Sequence, residues 1–372
     1  MISFLHTLFF LCIALVVYAE DFSYTFSQKI LAQEKGNVFI SPYSVRVALG
    51  MALDGAKGTT REELEKVLGN SRELYVTKGN FRSFQALAID NSFTPLKQYV
   101  DTLYTTYHAA TLSVDFQAPQ KALQAINGWV SQATNARVTT LVQPNDVKET
   151  TRLMLLNAVL FTGEWLLAFT KENTQEAPFT TDEDAQVTVP MMYQEAIFHY
   201  GNDTRASYLA LDCKDSEYAC MIVLPIGGTT LQQIEEKFTS GMLTSWRESV
   251  RREYVKLSLP RVNIDCRVDC KEALKSLGIR TAFSQDADFS RISTTPLAID
   301  AVLHGARLKI DEAGIEATAA TAVSFIIKSV LPPENAIEMR CDHPFLLVIY
   351  DKVQGAVVFV GRVTNPFSNE KG

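Results

Sequence analysis

The apolar positions of this chain begin with a block. Ile2 to Tyr18 is almost wholly apolar, and Glu20 and Asp21 follow at once. Val17 and Ala19 place branched and small residues at the −3 and −1 positions of a cleavage site, so residues 1–19 read as a secretory signal peptide, although the leader lacks Lys and Arg. An uncleaved anchor is the alternative, but a span needs about 20 apolar residues. No later stretch approaches such a run, which leaves residues 20–372 as one secreted domain without a membrane segment. In that domain the first apolar periodicities are helical. They predict amphipathic helices over Phe22–Gln33, from Ser41-Pro42 to Ala52, over Leu96–Ala109 and over Ala118–Thr134. A further helix opens at Thr60 as N-cap with acidic first-turn residues and ends at Gly69. The second half turns to β-branched or alternating runs: Val187–Val189, Ala219–Leu224, Tyr254–Leu259, Ala298–Leu303, Phe345–Tyr350 and Ala356–Val360. Helices first and strands later predict an α+β domain.

One stretch breaks the ordinary pattern. Asp311 to Thr321 reads D-E-A-G-I-E-A-T-A-A-T, followed by the apolar run Val323–Ile327, then Lys328-Ser329, then Pro332-Pro333. Its alanines suit a helix. They also alternate with period two. Ile315, Ala317, Ala319, Thr321, Val323, Phe325 and Ile327 would share one face of a strand, with Glu316, Thr318, Ala320 and Ser324 on the other. That is a strand able to bury one side only.

Composition narrows the function classes. Hydrophobic residues make up 47% and charged residues 21% of 372, as in globular proteins. The net charge of −7 argues against general nucleic-acid binding, which needs a basic face. No G-x-S-x-G, H-E-x-x-H, P-loop or G-x-G-x-x-G occurs, so no catalytic site, cofactor or enzyme activity is expected. Outside the leader there are five cysteines, Cys213, Cys220, Cys266, Cys270 and Cys341, an odd number, so at least one is free. Cys213 and Cys220 flank a turn and could bridge across a hairpin, with unpaired core thiols as the alternative; the pairing stays open. No CxxC occurs, and no metal site is expected. Asn202-Asp203-Thr204 is the one glycosylation sequon.

The stretch from Asp311 resembles the hinge and reactive-centre loop of the serpins, and the rest of the chain agrees. Asn37-Val-Phe-Ile-Ser-Pro-Tyr-Ser44 is similar to the family's N-x-F-x-S-P-x-S; Leu156-Asn157-Ala158 with Trp165 resembles L-x-N-A…W. Cys341-Asp-His-Pro-Phe-Leu-Leu347 and Phe359-Val-Gly-Arg-Val-Thr-Asn-Pro366 are similar to its C-terminal signatures. Five such segments in order are very specific. The resemblance implies three β-sheets with eight or nine helices, a loop over about 312–335, and a suicide-substrate inhibitor. The protease is acylated by the loop, which then inserts into the central sheet and traps it.

Residue by residue, the resemblance makes Glu312, Gly314, Ile315, Glu316, Ala317, Thr318, Ala319, Ala320 and Thr321 the hinge. The family's usual count of 16 residues beyond the hinge glutamate arrives at Lys328, so the reactive bond is Lys328–Ser329, with Phe325, Ile326 and Ile327 filling apolar subsites. A Lys there suits a trypsin-like or plasmin-like serine protease with an acidic pocket; cleavage after Phe325 is the runner-up. The inward hinge positions carry no charge that would need desolvation, which fits inhibition. Ile315 is bulkier than the family's usual residue and is expected to slow the first insertion step. Ser41, Ser44, Asn157 and His304 match the polar shutter beneath the sheet, and Trp165 its upper opening. Gly305 stands where a Lys is frequent, which puts the usual ion pair at that opening in doubt. The short segment between Gly69 and Leu87, with Arg72, Lys78 and Arg82, predicts no strong heparin activation. A monomer is expected. The alternative is a non-inhibitory carrier or binding protein of the same family.

Overall fold

The computed structural model describes residues 22–69, 79–214, 216–317, 333 and 335–367; the leader, Arg72, Lys78 and residues 318–332 of the loop lie outside them. The described residues hold eight α-helices: α1 (residues 22–33), α2 (Pro42–Gly55), α3 (Gly58–Leu68), α4 (Lys97–Tyr107), α5 (Pro119–Ala133), α6 (Leu231–Glu235), α7 (Ser240–Ser249) and α8 (Lys271–Leu277). Ser41 caps α2 by accepting from Ser44 N at 3.2 Å, and Pro42 fixes its first turn. Thr60 is not the cap expected for α3. The helix starts two residues earlier, and the Thr60 hydroxyl accepts from Asp288 N at 2.9 Å instead.

Seven strands form the sheet that carries the hinge. They run β3 (Ala110–Val114), β2 (Phe81–Asp90), β4 (Leu153–Phe161), β12 (Ala301–Asp311), with β11 (Val262–Asp269) beyond β12. At its upper end β12 pairs instead with β13 (Gly314–Ile315), which pairs in turn with β5 (Gly163–Glu164). The other nine strands form one hydrogen-bonded network: β1 (Val38–Ile40), β16 (Val357–Val363), β15 (Phe345–Asp351), β9 (Tyr218–Pro225), β8 (Ala206–Asp212), β7 (Gln186–Asn202), β10 (Arg251–Pro260) and β14 (Ile337–Arg340), with β6 (Gln175–Thr180) beside β7. The 17-residue β7 joins two strand groups here. Only its last four residues pair with β8, while its earlier part pairs with β6 and β10. The three expected sheets are therefore one separate sheet and two groups sharing β7.

Helices and strands are not segregated along the chain as expected. β1 to β4 interleave with α1 to α5. β4 (LMLLNAVLF) is buried throughout because both sheet faces are covered. Leu155, Val159 and Phe161 face the main core with Val302, Leu308 and Ile310. Leu156, Ala158 and Leu160 face a second core under α5, with Ile126, Val130 and Leu141.

Candidate functional site

The strand β12 ends at Asp311, turns through Glu312 and Ala313, and returns as β13. Each residue of that turn is held. The Glu312 carboxylate is buried, lies 2.7 Å from Arg261 Nη2, and accepts from Thr174 Oγ1 at 2.5 Å. Burial alone would raise its pKa, but these hydrogen bonds outweigh burial and hold it below the usual carboxylate range. Trp165 N donates to Ala313 O at 2.9 Å, Trp165 Nε1 to Asp311 O at 3.1 Å, and Phe169 N to Glu312 O at 2.9 Å. Gly314 has φ 156°, and a Cβ there would stand 1.9 Å from Gly163 O. Only glycine lets β13 come this close to β5.

Ile315 is fully buried in the main core, opposite Ile310 on one side and Gly163 on the other. The hinge is thus already seated between β5 and β12. Below it the sheet is closed, because β4 and β12 pair directly from Met154–Ala301 to Val159–Ala306. Ile315, expected to slow the first insertion step, already occupies its place in the sheet in the uncut chain. Glu316 takes the opposite face, as the alternation requires, yet it is covered there by Arg137 and Arg307.

Beneath the hinge lies a buried polar network. His304 and Asn157 are opposed across the β4–β12 pairing. Ser41 N donates to His304 Nε2 at 3.0 Å, so the other ring nitrogen carries the proton and Nδ1–H donates to Asn157 Oδ1 at 2.5 Å. Asn157 Nδ2 donates to Ser44 Oγ at 2.5 Å, and Ser44 Oγ meets Ser83 Oγ. Gln85 Nε2 donates to Ser83 Oγ at 2.5 Å. Desolvation pushes the His304 pKa down to about 3, which keeps the ring neutral. Ser41, Ser44, Asn157 and His304 are brought together as expected. Ser83 and Gln85 complete the network and were not foreseen; their signal is two polar residues interrupting the apolar β2.

Other expectations fare differently. A Cβ at Gly305 would lie 2.9 Å from Leu141 Cδ1, so a side chain there requires the Leu141 side chain to move. The ion pair doubted on its account exists through Arg261, whose partner Glu312 is 51 residues away. A Cys213–Cys220 bridge does not form. Cys220 stands opposite Leu211, while Cys213 N donates to Tyr218 O, so the thiols are out of register; the five described cysteines are buried and none is in a disulfide. Burial pushes the Cys213 pKa up to about 12, which leaves a thiol of low reactivity. Asn202 is exposed at the end of β7, beside the turn to β8. Thr318, Ala319, Ala320, Thr321, Phe325, Ile326, Ile327, Lys328 and Ser329 lie outside the described residues.

Comparison with known proteins agrees with this architecture. Residues 18–366 match the family model described as "Serpin (serine protease inhibitor)". Human Serpin B3 is 31% identical over 93% of this chain and 97% of its own. Mouse neuroserpin is 30% identical, over 90% of this chain and 87% of its own. Among solved structures, human thyroxine-binding globulin with bound thyroxine superposes with a TM-score of 0.85 at 26% identity, covering 95% of this chain and 99% of that one.

Proposed function

The chain belongs to the serpin family, and on that premise we propose that it is a secreted suicide-substrate inhibitor of trypsin-like serine proteases, cut at Lys328–Ser329. The protease serine attacks the Lys328 carbonyl, the amide nitrogen of Ser329 leaves with the C-terminal peptide, and an ester links the two proteins. Loop insertion then removes the ester from productive geometry.

The observation that carries this reading is the seated hinge. Gly314–Ile315 already supplies the first rungs between β5 and β12. Continuing the same registers places Ala317 beside Leu308 and Phe161, Ala319 beside Ala306 and Val159, and Thr321 between His304 and Asn157. The core-facing side chains are then small or uncharged, and insertion desolvates no ion. The Thr321 hydroxyl arrives where the His304–Asn157 hydrogen bond now spans the sheet, and can take over a partner from each. The opening of the shutter leaves no polar group stranded.

Trypsin mixed with the purified protein should give, on a denaturing gel, a covalent band near the summed masses less the released peptide. That peptide should begin at Ser329. Cleavage without a band makes the protein a substrate; no cleavage sinks the Lys328 assignment. Submicromolar heparin should change the rate far less than a hundredfold, since Arg82 is the one described cation of the short segment and lies over the Phe84 ring. We further place secretion, a glycan on the exposed Asn202 and a monomeric state within this reading.

A second reading is favoured by the likeness to thyroxine-binding globulin. A non-inhibitory carrier would share the fold and keep its loop out of the sheet. The two readings part on what cutting the loop does to stability.

A further inference from the structure

The trapping cycle leaves one hinge group without a role. Glu316 follows the seated pair, and it is where the strand stops. Its N–H still donates to Lys309 O at 2.8 Å, the next rung of the β12–β13 ladder. Its φ is +47°, however, in the left-handed region that a residue with a Cβ avoids. Its side chain is only 8% exposed, with the carboxylate 3.4 Å from Arg307 Nε and 3.8 Å from Arg137 Nε. Glu316 Oε1 and Arg307 Nε lack hydrogen-bond partners, so charge alone holds them together. A disfavoured backbone and a desolvated carboxylate persist together only where the surroundings over-determine them. Here two guanidinium groups do so, one from β12 and one from the segment after α5.

We propose that Glu316 is a positioning residue that acts as a stop: clamped between Arg137 and Arg307, it holds its own backbone in the left-handed turn and keeps the uncut loop from continuing down between β4 and β12. This deepens the inhibitor reading and rests on it for its biological meaning. Without the carboxylate, residue 316 relaxes to an extended conformation, Ala317 makes the next rung, and the strand lengthens at the expense of the β4–β12 pairing.

The clamp is also sensitive to pH. From β12 Arg307 and Lys309 face the carboxylate, from β11 Asp265, and from the segment after α5 Arg137. Arg82, Glu164 and Lys214 line the open side with Glu316. Burial raises the Glu316 pKa against the pull of Arg307, Arg137 and Lys309. Mild acid therefore removes the charge that the clamp needs.

The test uses the full, uncut chain incubated just below its melting temperature. Conversion to a loop-inserted form is read as urea resistance on a gradient gel. Glu316→Gln should convert about fivefold faster or more than wild type, the scale set by losing support for one left-handed residue. Arg137→Gln should also accelerate it, and the double variant should be no faster than Glu316→Gln. Wild-type conversion should quicken from pH 7.5 to pH 5 while that of Glu316→Gln stays flat. Equal rates, parallel pH profiles, or no conversion in either protein overturn the stop. If Glu316→Gln does not fold, Arg137→Gln and the wild-type pH profile still decide. The trypsin band is scored separately, so a chain that forms none loses the inhibitor reading while the conversion rates judge the clamp.

Discussion

His304 works by staying neutral. Its ring accepts from Ser41 N and donates to Asn157 Oδ1, and both bonds need the single tautomer described above. With a folded pKa near 3 against 6.5 in the unfolded chain, the unfolded state takes up a proton first as the pH falls. The stability held by this residue is complete above pH 6.5 and is lost toward pH 3, about 2–3 kcal/mol of it by pH 4.5. Glu235 runs the other way. Buried beside Arg362 Nη1 at 3.1 Å, it is pushed by desolvation up to about 7 despite that partner. Its contribution is complete below about 4.5, the unfolded value, and is lost as the pH rises through 7. The two slopes oppose between pH 4.5 and 6.5. Urea unfolding should therefore show a shallow pH dependence for wild type. His304→Gln should lose stability with rising pH, and Glu235→Gln should gain it. A wild-type slope as steep as that of Glu235→Gln would remove Glu235 from this balance.

At the scale of elements, the two-residue β13 governs the hinge through Gly314. A Cβ at that position meets the β5 backbone, which no side-chain rearrangement relieves. Gly314→Ala should expel β13 and expose Ile315, whose burial is worth about 1.5–3 kcal/mol. Amide exchange at Ile315 and Glu316 should speed up by about tenfold or more; retained protection would show that the sheet can spread to admit the methyl group. Much of this element was legible beforehand. Period-two alternation put Ile315 inward and Glu316 outward, and α5 came within one residue of its ends because Pro119 and its apolar spacing mark it. β4 was missed because a strand buried on both faces reads as a continuous apolar run without periodicity. The far end of β12 was missed because Arg307 and Lys309 interrupt its apolar character. The buried cluster of Ser41, Ser44, Asn157 and His304 was legible only through the family resemblance. Arg261, Arg137 and Arg307 were not, because their hinge partners come from separate strands or layers and no local spacing encodes them. The choice left open at Cys213 and Cys220 falls to unbridged core thiols, because a turn fixes two residues near each other without fixing their register.

At the scale of the molecule, the loop is tethered at both ends to different sheets. Its hinge leaves β13 in the seven-stranded sheet, and its far end enters β14, which pairs with β10 over four residues from Val255–Ile337 to Ser258–Arg340. The uncut chain cannot lie fully between β4 and β12 without pulling against β14. A cut at the proposed Lys328–Ser329 bond would remove that constraint. The C-terminal piece would keep β14, β15 and β16 and stay in the fold until denatured, whereas the hinge piece would be free to extend β13. Each new rung replaces water with a ladder bond worth roughly 0.5–1.5 kcal/mol net, and the strand would make several on each side. Even half of that total, at roughly 1–2 °C per kcal/mol for a domain of this length, raises the melting temperature by several degrees. Scanning calorimetry before and after a single loop cut should show this rise, and the Glu316 amide should become more protected as its neighbours join the ladder. An unchanged melting temperature would mean that the cut loop stays outside the sheet, and the carrier reading would then take precedence over the inhibitor.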